Sequence, residues 1–385
     1  MKKAVMFGAG KIGRGFIGQK MADSGYGLTF LDAVPALVEA LNAAGQYHVF
    51  IVSNDGETVQ EVRGFDALLG DDPRAAQRIA ECDLMCTAVG VPNLEGAARP
   101  IARGIELRSA SGGGPLNIIM AENQLGVEEI MRRHLNANLS ADDREWADAN
   151  LGIVAASIQR MVPQPDAEHR SRDPLGVVCE DFSELPVDGD AVVGTMPPLN
   201  GLILSTPFSY QEKRKLFLHN MAHALTAYLA YRRGHEWIWQ AIEDNEIRAI
   251  VRSALDAVSD ALSAEYGVSR EELEAYADSL LMRFSNRRLG DTVGRVGADP
   301  CRKLRADDRL VGAALYVLDH GGDPAPIVRG IAAAFSFAPP DDPSASLLQS
   351  ELKEHGALEV IRSRLGLEPD GPLAQQILAQ LQTDR

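Results

Sequence analysis

Short apolar runs alternate with stretches of helical periodicity in the first half of the chain. Five of these runs are typical of buried strands: AVMFGA (4–9), LTFLDA (28–33), YHVFIV (47–52), DLMCTAV (83–89) and LNIIMAE (116–122). The helical stretch from Lys11 to Ser24 precedes Gly25, a residue suited to a left-handed helix C-terminus. Alternating strands and helices predict an α/β fold, a doubly wound and mostly parallel sheet of the Rossmann type.

Helical periodicity dominates the second half. Turn-rich and polar stretches at 163–174 and 186–201 precede it, so we place the domain boundary near residue 200. Helices are predicted at about 211–233, 236–265, 270–284, 307–320, 325–336, 343–354 and 370–383. The pattern therefore predicts a Rossmann domain over 1–200 and a mostly α-helical domain over 201–385.

The composition agrees with two globular domains. The chain has 385 residues, of which 45% are hydrophobic and 24% charged, and this length exceeds what one core usually fills. A formal net charge of −16 opposes binding to nucleic-acid phosphates or anionic lipid. We expect a small-molecule substrate, with no nucleic-acid or membrane partner, and the sequence leaves monomer and homodimer open.

Cysteine usage bears on the compartment. Cys82, Cys86, Cys179 and Cys301 form no CxxC pair, and the first residues run straight into a strand pattern instead of a signal peptide. These features favour four idle thiols in the reducing cytoplasm.

A glycine-rich motif follows the first predicted strand and opens the first predicted helix. Its residues are Gly8, Ala9, Gly10, Lys11, Ile12 and Gly13, in the spacing GxGxxG. In a dinucleotide-binding turn, the first glycine allows the tight turn, the second lets the pyrophosphate approach, and the third lets the helix pack closely. Without its flanking strand and helix, such a motif would be an ordinary glycine-rich turn.

Two other segments complete the predicted cofactor site. Asp32 ends the second strand, where a carboxylate accepts hydrogen bonds from the adenosine ribose and repels a 2′-phosphate, which favours NAD over NADP. Ala88, Val89 and Gly90 end a further strand, at the edge of the sheet where Rossmann ligands bind. The alternative for this second segment is an ordinary strand exit.

Candidate catalytic residues lie on the first helix of the second half. Lys215, Asn220 and His223 have the spacing K-x4-N-x2-H, which at about 100° per residue confines them to an arc of about 140°. Three polar groups on one side of a helix are suited to a single substrate. The alternative is a solvated, partly basic helix face.

The sequence resembles the polyol-specific long-chain dehydrogenases of the mannitol dehydrogenase family over essentially its whole length. The matching segments are FGAGKIGRGFIG (7–18), TAVG (87–90), PLNIIMAEN (115–123), RMVP (160–163), KRKLFLHNMAHALTAYL (213–229) and RVGADPCRKLRADDRL (295–310). The resemblance favours the members that interconvert mannitol 1-phosphate and fructose 6-phosphate with NAD and without a metal.

The resemblance also implies roles for individual residues. Lys215 would be the general base, Asn220 and Asn123 would donate hydrogen bonds to the developing alkoxide, and His223 would orient the reacting oxygen or its neighbour. Arg295 and Lys303 match positions that contact the polyol chain or its phosphate. Arg302 and Arg305 add nearby charge, and we include Arg302 among the expected substrate contacts. Arginine is well suited to phosphate, although a solvated basic loop is the alternative for this cluster.

Two other functions and a possible metal site fit parts of the sequence. A hexuronate reductase acting on fructuronate or tagaturonate would use the same lysine chemistry. A dinucleotide-sensing regulator would need only the Rossmann half. His219 and His223 have the H-x3-H spacing of zinc ligands but lack the HExxH glutamate and a third ligand at a recognisable spacing, so we expect no metal.

The predicted ribose contact gives a first test. Wild-type protein should turn over NAD in preference to NADP, and Asp32→Ser should relax that preference because it removes the charge that repels a 2′-phosphate. The measurement is kcat/KM for both cofactors on both proteins. Equal or better turnover of NADP by the wild type would contradict the assignment of Asp32.

Overall fold

The computed structural model describes residues 2–384 and divides the chain into two compact units. The first ends at Gln211 and the second begins at Glu212. This division lies beyond residue 200 because the strand Leu202–Ser205 pairs with Leu185–Asp188 and so belongs to the first unit. No helix within 2–384 is both long and apolar enough to cross a membrane.

The first unit contains three sheets. Its strands are β1 (Lys3–Phe7), β2 (Gly27–Asp32), β3 (Gln46–Ser53), β4 (Gly56–Arg63), β5 (Phe65–Leu69), β6 (Leu84–Thr87), β7 (Leu116–Met120), β8 (Leu151–Ala155), β9 (Val177–Glu180), β10 (Leu185–Asp188) and β11 (Leu202–Ser205). Six of them form a parallel sheet in the order β5-β2-β1-β6-β7-β8. The predicted Rossmann-type sheet is confirmed.

The central strands are mostly apolar because both faces of the sheet are covered. Ala4 and Met6 of β1 pack into the core on one face, while Val5 and Phe7 pack into the core on the other. Side chains of a strand alternate between faces, so a strand buried on both sides reads as a continuous apolar run. This burial explains why the sequence marks β1, β6 and β7 clearly.

The run YHVFIV lies outside the parallel sheet, contrary to its predicted place there. It forms β3, the middle strand of a separate sheet in the order β4-β3-β9, antiparallel to β4 and parallel to β9. The two-residue turn at 54–55 makes β3 and β4 a hairpin. Tyr47 packs edge-on against Phe30 of β2, 6.1 Å between ring centroids, and its hydroxyl donates to the Arg14 carbonyl at 2.9 Å.

The first unit also contains helices, several of which cover the parallel sheet. They are Gly13–Gly18, Gln19–Asp23, Pro35–Ala44, Pro73–Glu81, the 3₁₀ turn Val91–Asn93, Leu94–Ala110, Val127–Asn138, Ala141–Asn150 and Ala167–Arg172. The segment Gly13–Gly18 is a π-helical turn. Gly25 has a φ of +78° just after the first helix, as the predicted left-handed C-terminus requires.

The second unit is helical, as predicted. The helix that enters it comprises Ser209–Lys213, the π-helical turn Arg214–Asn220 and Met221–Arg232. The others are Ile238–Glu243, Asn245–Tyr266, Arg270–Phe284, the 3₁₀ turn Arg287–Leu289, Val293–Gly297, Pro300–Lys303, Val311–Asp319, Ala325–Ala334, Pro343–Ser363 and Pro372–Thr383. Two short helices, Val293–Gly297 and Pro300–Lys303, carry most of the predicted substrate contacts.

Two helix boundaries differ from the predicted ones for local reasons. The predicted helix 236–265 is two helices, because the Asp244 carboxylate accepts the backbone N–H groups of Glu246 and Ile247 at 2.9 and 3.2 Å and begins a new helix there. The predicted helix 343–354 continues to Ser363 across a kink at Gly356, whose φ of 79° and ψ of 168° are non-helical.

The helix Leu94–Ala110 offers a matched pair of glycines that test its packing. A Cβ at buried Gly104 would lie 2.5 Å from Ile79 Cγ2 and 2.6 Å from its Cβ, whereas a Cβ at exposed Gly96 would meet nothing within 4 Å. Gly104→Ala should therefore lower the free energy of unfolding by about 1–3 kcal/mol through overpacking. Gly96→Ala should raise it by about 0.5–1 kcal/mol through helix propensity. Equal unfolding midpoints for the two variants would contradict this packing.

Candidate active site

Three glycines shape the turn between β1 and the first helix, each in a different way. Gly8 has a φ of +101°, and a Cβ there would overlap the Ala88 carbonyl oxygen. A Cβ at Gly13 would overlap the Gly8 carbonyl oxygen, whereas a Cβ at Gly10 would meet nothing within 4 Å. The first and third glycines therefore allow close backbone packing, and the open space beside exposed Gly10 suits the approach of a pyrophosphate.

Asp32 holds this turn in place. Its Oδ2 accepts the backbone N–H of Ala9 at 2.7 Å, and its Oδ1 accepts that of Val34 at 3.0 Å. A carboxylate has about four acceptor positions, so ribose hydroxyls can still bind beside these two N–H groups. Asp32→Ser therefore removes a bond of the turn together with the charge that was predicted to select NAD.

Glu122 holds the neighbouring turn after β6. Its side chain is buried, and its two oxygens accept the backbone N–H groups of Val89 at 2.9 Å and of Gly90 at 2.8 Å. Gly90 has a φ of +83°, a conformation that glycine adopts without strain. The carboxylate fixes the predicted cofactor turn Ala88–Gly90 beside Asn123, the next residue in the chain after Glu122.

These turns share one edge of the parallel sheet. β1, β2, β6 and β7 run parallel, so Gly8, Asp32, Ala88 and Glu122 all follow carboxyl ends of strands. Lys11, Ile12 and Gly13 lead from the first turn into the helix. In open α/β sheets, ligands bind at this edge. The structure thus brings all the predicted cofactor residues together within the first unit.

The second unit carries Lys215 and Asn220 at the two ends of a π-helical turn. In this turn, Arg214–Asn220, the backbone N–H of Met221 reaches back five residues to the Leu216 carbonyl. Five-residue spacing of the hydrogen bonds brings residues i and i+5 to the same side. The angle about the helix axis between Lys215 and Asn220 is therefore smaller than the angle of about 140° that regular α-helical geometry predicts.

The environment of Lys215 favours the neutral amine. Burial and, to a smaller extent, the positive charge of Arg309 lower its pKa from 10.5 to about 8. Arg309 itself is mostly buried and donates from Nε to Asp308 at 2.8 Å. A lysine with a pKa near the working pH is suited to accept a proton.

His223 contacts an acid and an aromatic ring. Its Nε2 lies 2.9 Å from Asp291 Oδ2, and its ring stacks on Phe284 with 4.7 Å between centroids and 8° between planes. Asp291 also forms an ion pair with Arg295, one of the predicted substrate contacts. The structure therefore joins His223 and Arg295 through a residue that the sequence analysis did not single out.

His219, the other half of the H-x3-H pair, is buried. Burial holds its pKa well below its ordinary value, and its ring centroid lies 6.1 Å from that of His223. Over residues 2–384, no group of three or more His, Cys, Asp or Glu side chains is arranged to hold a metal ion.

The other predicted substrate contacts have internal partners. Lys303 is buried, donates from Nζ to the carbonyls of Val296, at 2.6 Å, and Ala298, and has a pKa lowered to about 7, mainly by burial. Arg302 pairs with Asp299 at 2.7 Å and with Asp308 at 3.2 Å, and Arg305 pairs with Asp307 at 2.8 Å. The Lys303 amine is thus engaged with two backbone carbonyls of its own segment.

Three functional candidates escaped the sequence analysis: Glu122, Asp291 and Arg309. Glu122 had a visible signal, because an acid two residues after the buried and mostly apolar strand β7 needs buried partners. Asp291 and Arg309 had none, since they lie in polar segments and acquire their partners only when distant residues meet in the fold.

Family models match most of the chain. A mannitol dehydrogenase Rossmann domain matches residues 2–201, and a mannitol dehydrogenase C-terminal domain matches residues 208–369. A D-sorbitol dehydrogenase in substrate-free form is similar in structure, with a TM-score of 0.83 and 18% identity over 99% of this chain and 93% of that chain. The Pseudomonas fluorescens mannitol 2-dehydrogenase, in a ternary complex with NAD and D-mannitol, has a TM-score of 0.75 and 18% identity over 99% and 90%.

These two domains in this order define a class of NAD-dependent polyol oxidoreductases. The chain belongs to the mannitol dehydrogenase family. The two solved structures share its fold, and their low identity carries no substrate assignment to this chain.

Proposed function

We propose that this chain interconverts mannitol 1-phosphate and fructose 6-phosphate with NAD, the reaction of a mannitol-1-phosphate 5-dehydrogenase. The observation that carries the proposal is Lys215, a lysine with a pKa of about 8 in the π-helical turn of a mannitol dehydrogenase C-terminal domain. The phosphorylated couple is inferred from the sequence segments 213–229 and 295–310.

The first unit would hold the dinucleotide. The residues fit that group: open space lies beside Gly10, the turn packs closely at Gly8 and Gly13, and Asp32 lies at the end of β2. Bound NAD supplies the acceptor for the hydride that leaves the polyol carbon. The turns at 8–13 and 88–90 would bind and orient it, and the N-terminus of the helix would face its phosphates.

Lys215 would be the general base. Its neutral Nζ takes the hydroxyl proton as the neighbouring carbon is oxidised, and in the reverse direction the ammonium returns that proton to the ketose oxygen. Burial supports this role, because exclusion of water costs the neutral amine less solvation free energy than it costs the ammonium. Asn220, across the π-helical turn from Lys215, would donate a hydrogen bond to the developing alkoxide. The same role for Asn123 is proposed from the sequence resemblance alone.

Basic side chains of the segment 295–305 would bind the negatively charged group of the substrate. The guanidinium groups of Arg295 and Arg302 each carry five N–H donors, and their pairing with aspartates engages only some of them. The remaining guanidinium donors suit a phosphate, and Lys303 is proposed as a further contact from its place in the same segment. A carboxylated sugar would use the same groups, so the assay must compare both kinds of substrate.

The substrate prediction is tested by oxidation of NADH with fructose 6-phosphate, fructose and fructuronate in parallel. Fructose 6-phosphate should have the highest kcat/KM. Loss of a charged hydrogen bond to its phosphate, by Arg295→Gln or Arg302→Gln, should cost about 2 kcal/mol of binding, mostly in KM. Turnover of free fructose as efficient as that of the phosphate would contradict phosphate recognition, and preference for fructuronate would indicate a hexuronate reductase.

The role of Lys215 is tested by Lys215→Ala, which should lower kcat by about 10²- to 10⁴-fold with little change in NAD binding or folding. The matched control is Lys213→Ala on the same helix, where the lysine forms an ion pair with Glu265 at 2.6 Å. That variant should keep nearly normal kcat. An alanine variant at 215 with near-normal kcat would exclude this lysine as the base.

The pH profile gives an independent check on Lys215. Polyol oxidation by the wild type should rise through a pH of about 8, because only the deprotonated amine accepts a proton. Arg309→Gln removes a positive charge that lowers this pKa, so it should move the rise to higher pH. A wild-type rate independent of pH between about 6 and 9 would contradict a lysine base.

A further inference from the structure

Asp291 is a buried acid between two candidate site residues. Its side chain is only 8% exposed, its Oδ2 lies 2.9 Å from His223 Nε2, and its Oδ1 faces the guanidinium group of Arg295. A carboxylate buried this deeply is costly unless both oxygens are compensated. Here the two compensating groups are two of the side chains that are predicted to contact the substrate.

The backbone around Asp291 is fixed by strand-like pairing. The Ile238 N–H donates to the Asp291 carbonyl at 3.0 Å, and the Val293 N–H donates to the Glu236 carbonyl at 2.9 Å. The bridge between Trp237 and Thr292 lies between these two bonds. The carboxylate therefore starts from a backbone position with little freedom and can hold its partners in one geometry.

His223 is constrained in two directions. Stacking on Phe284 fixes the plane of its ring, and the bond to Asp291 fixes the rotation of the ring within that plane. An ionised carboxylate only accepts hydrogen bonds, so of the two neutral tautomers of His223 it favours the one with the proton on Nε2. In that tautomer the other ring nitrogen, Nδ1, is an acceptor.

We propose that Asp291 is a positioning residue for the oxidoreductase reaction: it sets the Nε2–H tautomer of His223 and holds Arg295 in the same arrangement. The proposal rests on the proposed function and deepens it. Asp291 acts through these neighbours and is not itself a contact of substrate or cofactor. It thereby makes the orientation of the reacting oxygen and the recognition of the substrate depend on one carboxylate.

A double-mutant cycle separates positioning from a merely structural role. Asp291→Asn keeps the size of the side chain but removes its charge, and it should lower kcat/KM for the ketose by about 10- to 100-fold while the KM for NADH stays unchanged. In a His223→Ala, Arg295→Gln background, the same change should cost less than about 3-fold, since both partners are already absent. Independent, multiplicative effects would overturn the proposal.

Two controls accompany the cycle. Asp256→Asn makes the same chemical change at an aspartate that pairs with Arg252 at 2.9 Å in the same unit, and it should leave kcat/KM near the wild-type value. Thermal unfolding of every variant identifies losses due to instability. A fall in kcat/KM for Asp256→Asn equal to that of Asp291→Asn would also overturn the proposal.

The tautomer is tested in the wild type, so that this test depends on neither turnover nor the folding of Asp291→Asn. With ¹⁵N-labelled histidine at a pH of about 9, where an ordinary imidazole is neutral, the His223 signals should show a proton on Nε2. His223→Gln identifies these signals by their absence. A proton on Nδ1 would overturn the proposal, whereas failure of the wild type to oxidise NADH with any substrate would instead overturn the proposed function.

Discussion

The cofactor edge of the first unit depends on carboxylates that accept backbone N–H groups. Asp32 binds the turn after β1, and buried Glu122 binds the turn after β6. Hydrogen bonds to an ionised acceptor are about twice as strong as neutral ones. The two turns carry the close contact between Gly8 and the Ala88 carbonyl, so these acids hold in register the backbone that a dinucleotide would meet.

The second unit uses charge in a different way. Most of its candidate substrate contacts are arginines paired with aspartates, such as Arg295 with Asp291 and Arg302 with Asp299. Lys215 is instead placed where burial and a neighbouring cation disfavour its charged form. The second unit therefore pairs its candidate arginines with aspartates, whereas it lowers the pKa of Lys215, the residue proposed to exchange a proton.

The parts of the fold that the sequence predicts are those governed by burial. β1, β6 and β7 are buried on both faces, so their mostly apolar pattern is clear without any knowledge of their neighbours. β3 also has an apolar run, yet it joins a separate sheet, because its partners β4 and β9 are selected by a hairpin and by a distant segment. Pairing between distant segments does not appear in the periodicity of one segment.

The candidate site likewise has local features, which the sequence predicts, and long-range contacts, which it does not. The glycine motif and the acid at the end of β2 are local signatures, and the structure gathers them at one edge of the sheet. Regular helical periodicity misplaces Lys215 relative to Asn220, because the intervening turn is π-helical. Asp291 lies far along the chain from His223 and meets it only through tertiary packing, so neither its partner nor its burial is visible in the sequence.

The π-helical turn has a consequence for how this helix tolerates changes in length. A π-helical turn accommodates one residue more than an α-helical turn does, so the extra residue is taken up within the turn. Deletion of a single residue between Lys215 and Asn220 would restore a regular helix and leave the downstream part of the helix facing nearly as it does now. Tyr228, whose hydroxyl donates to the Gly297 carbonyl at 2.8 Å, is buried on that downstream part. The helix can therefore lose one residue within this turn while its buried downstream part keeps its place in the core, whereas a loss in the regular part that follows would rotate the residues beyond it by about 100°.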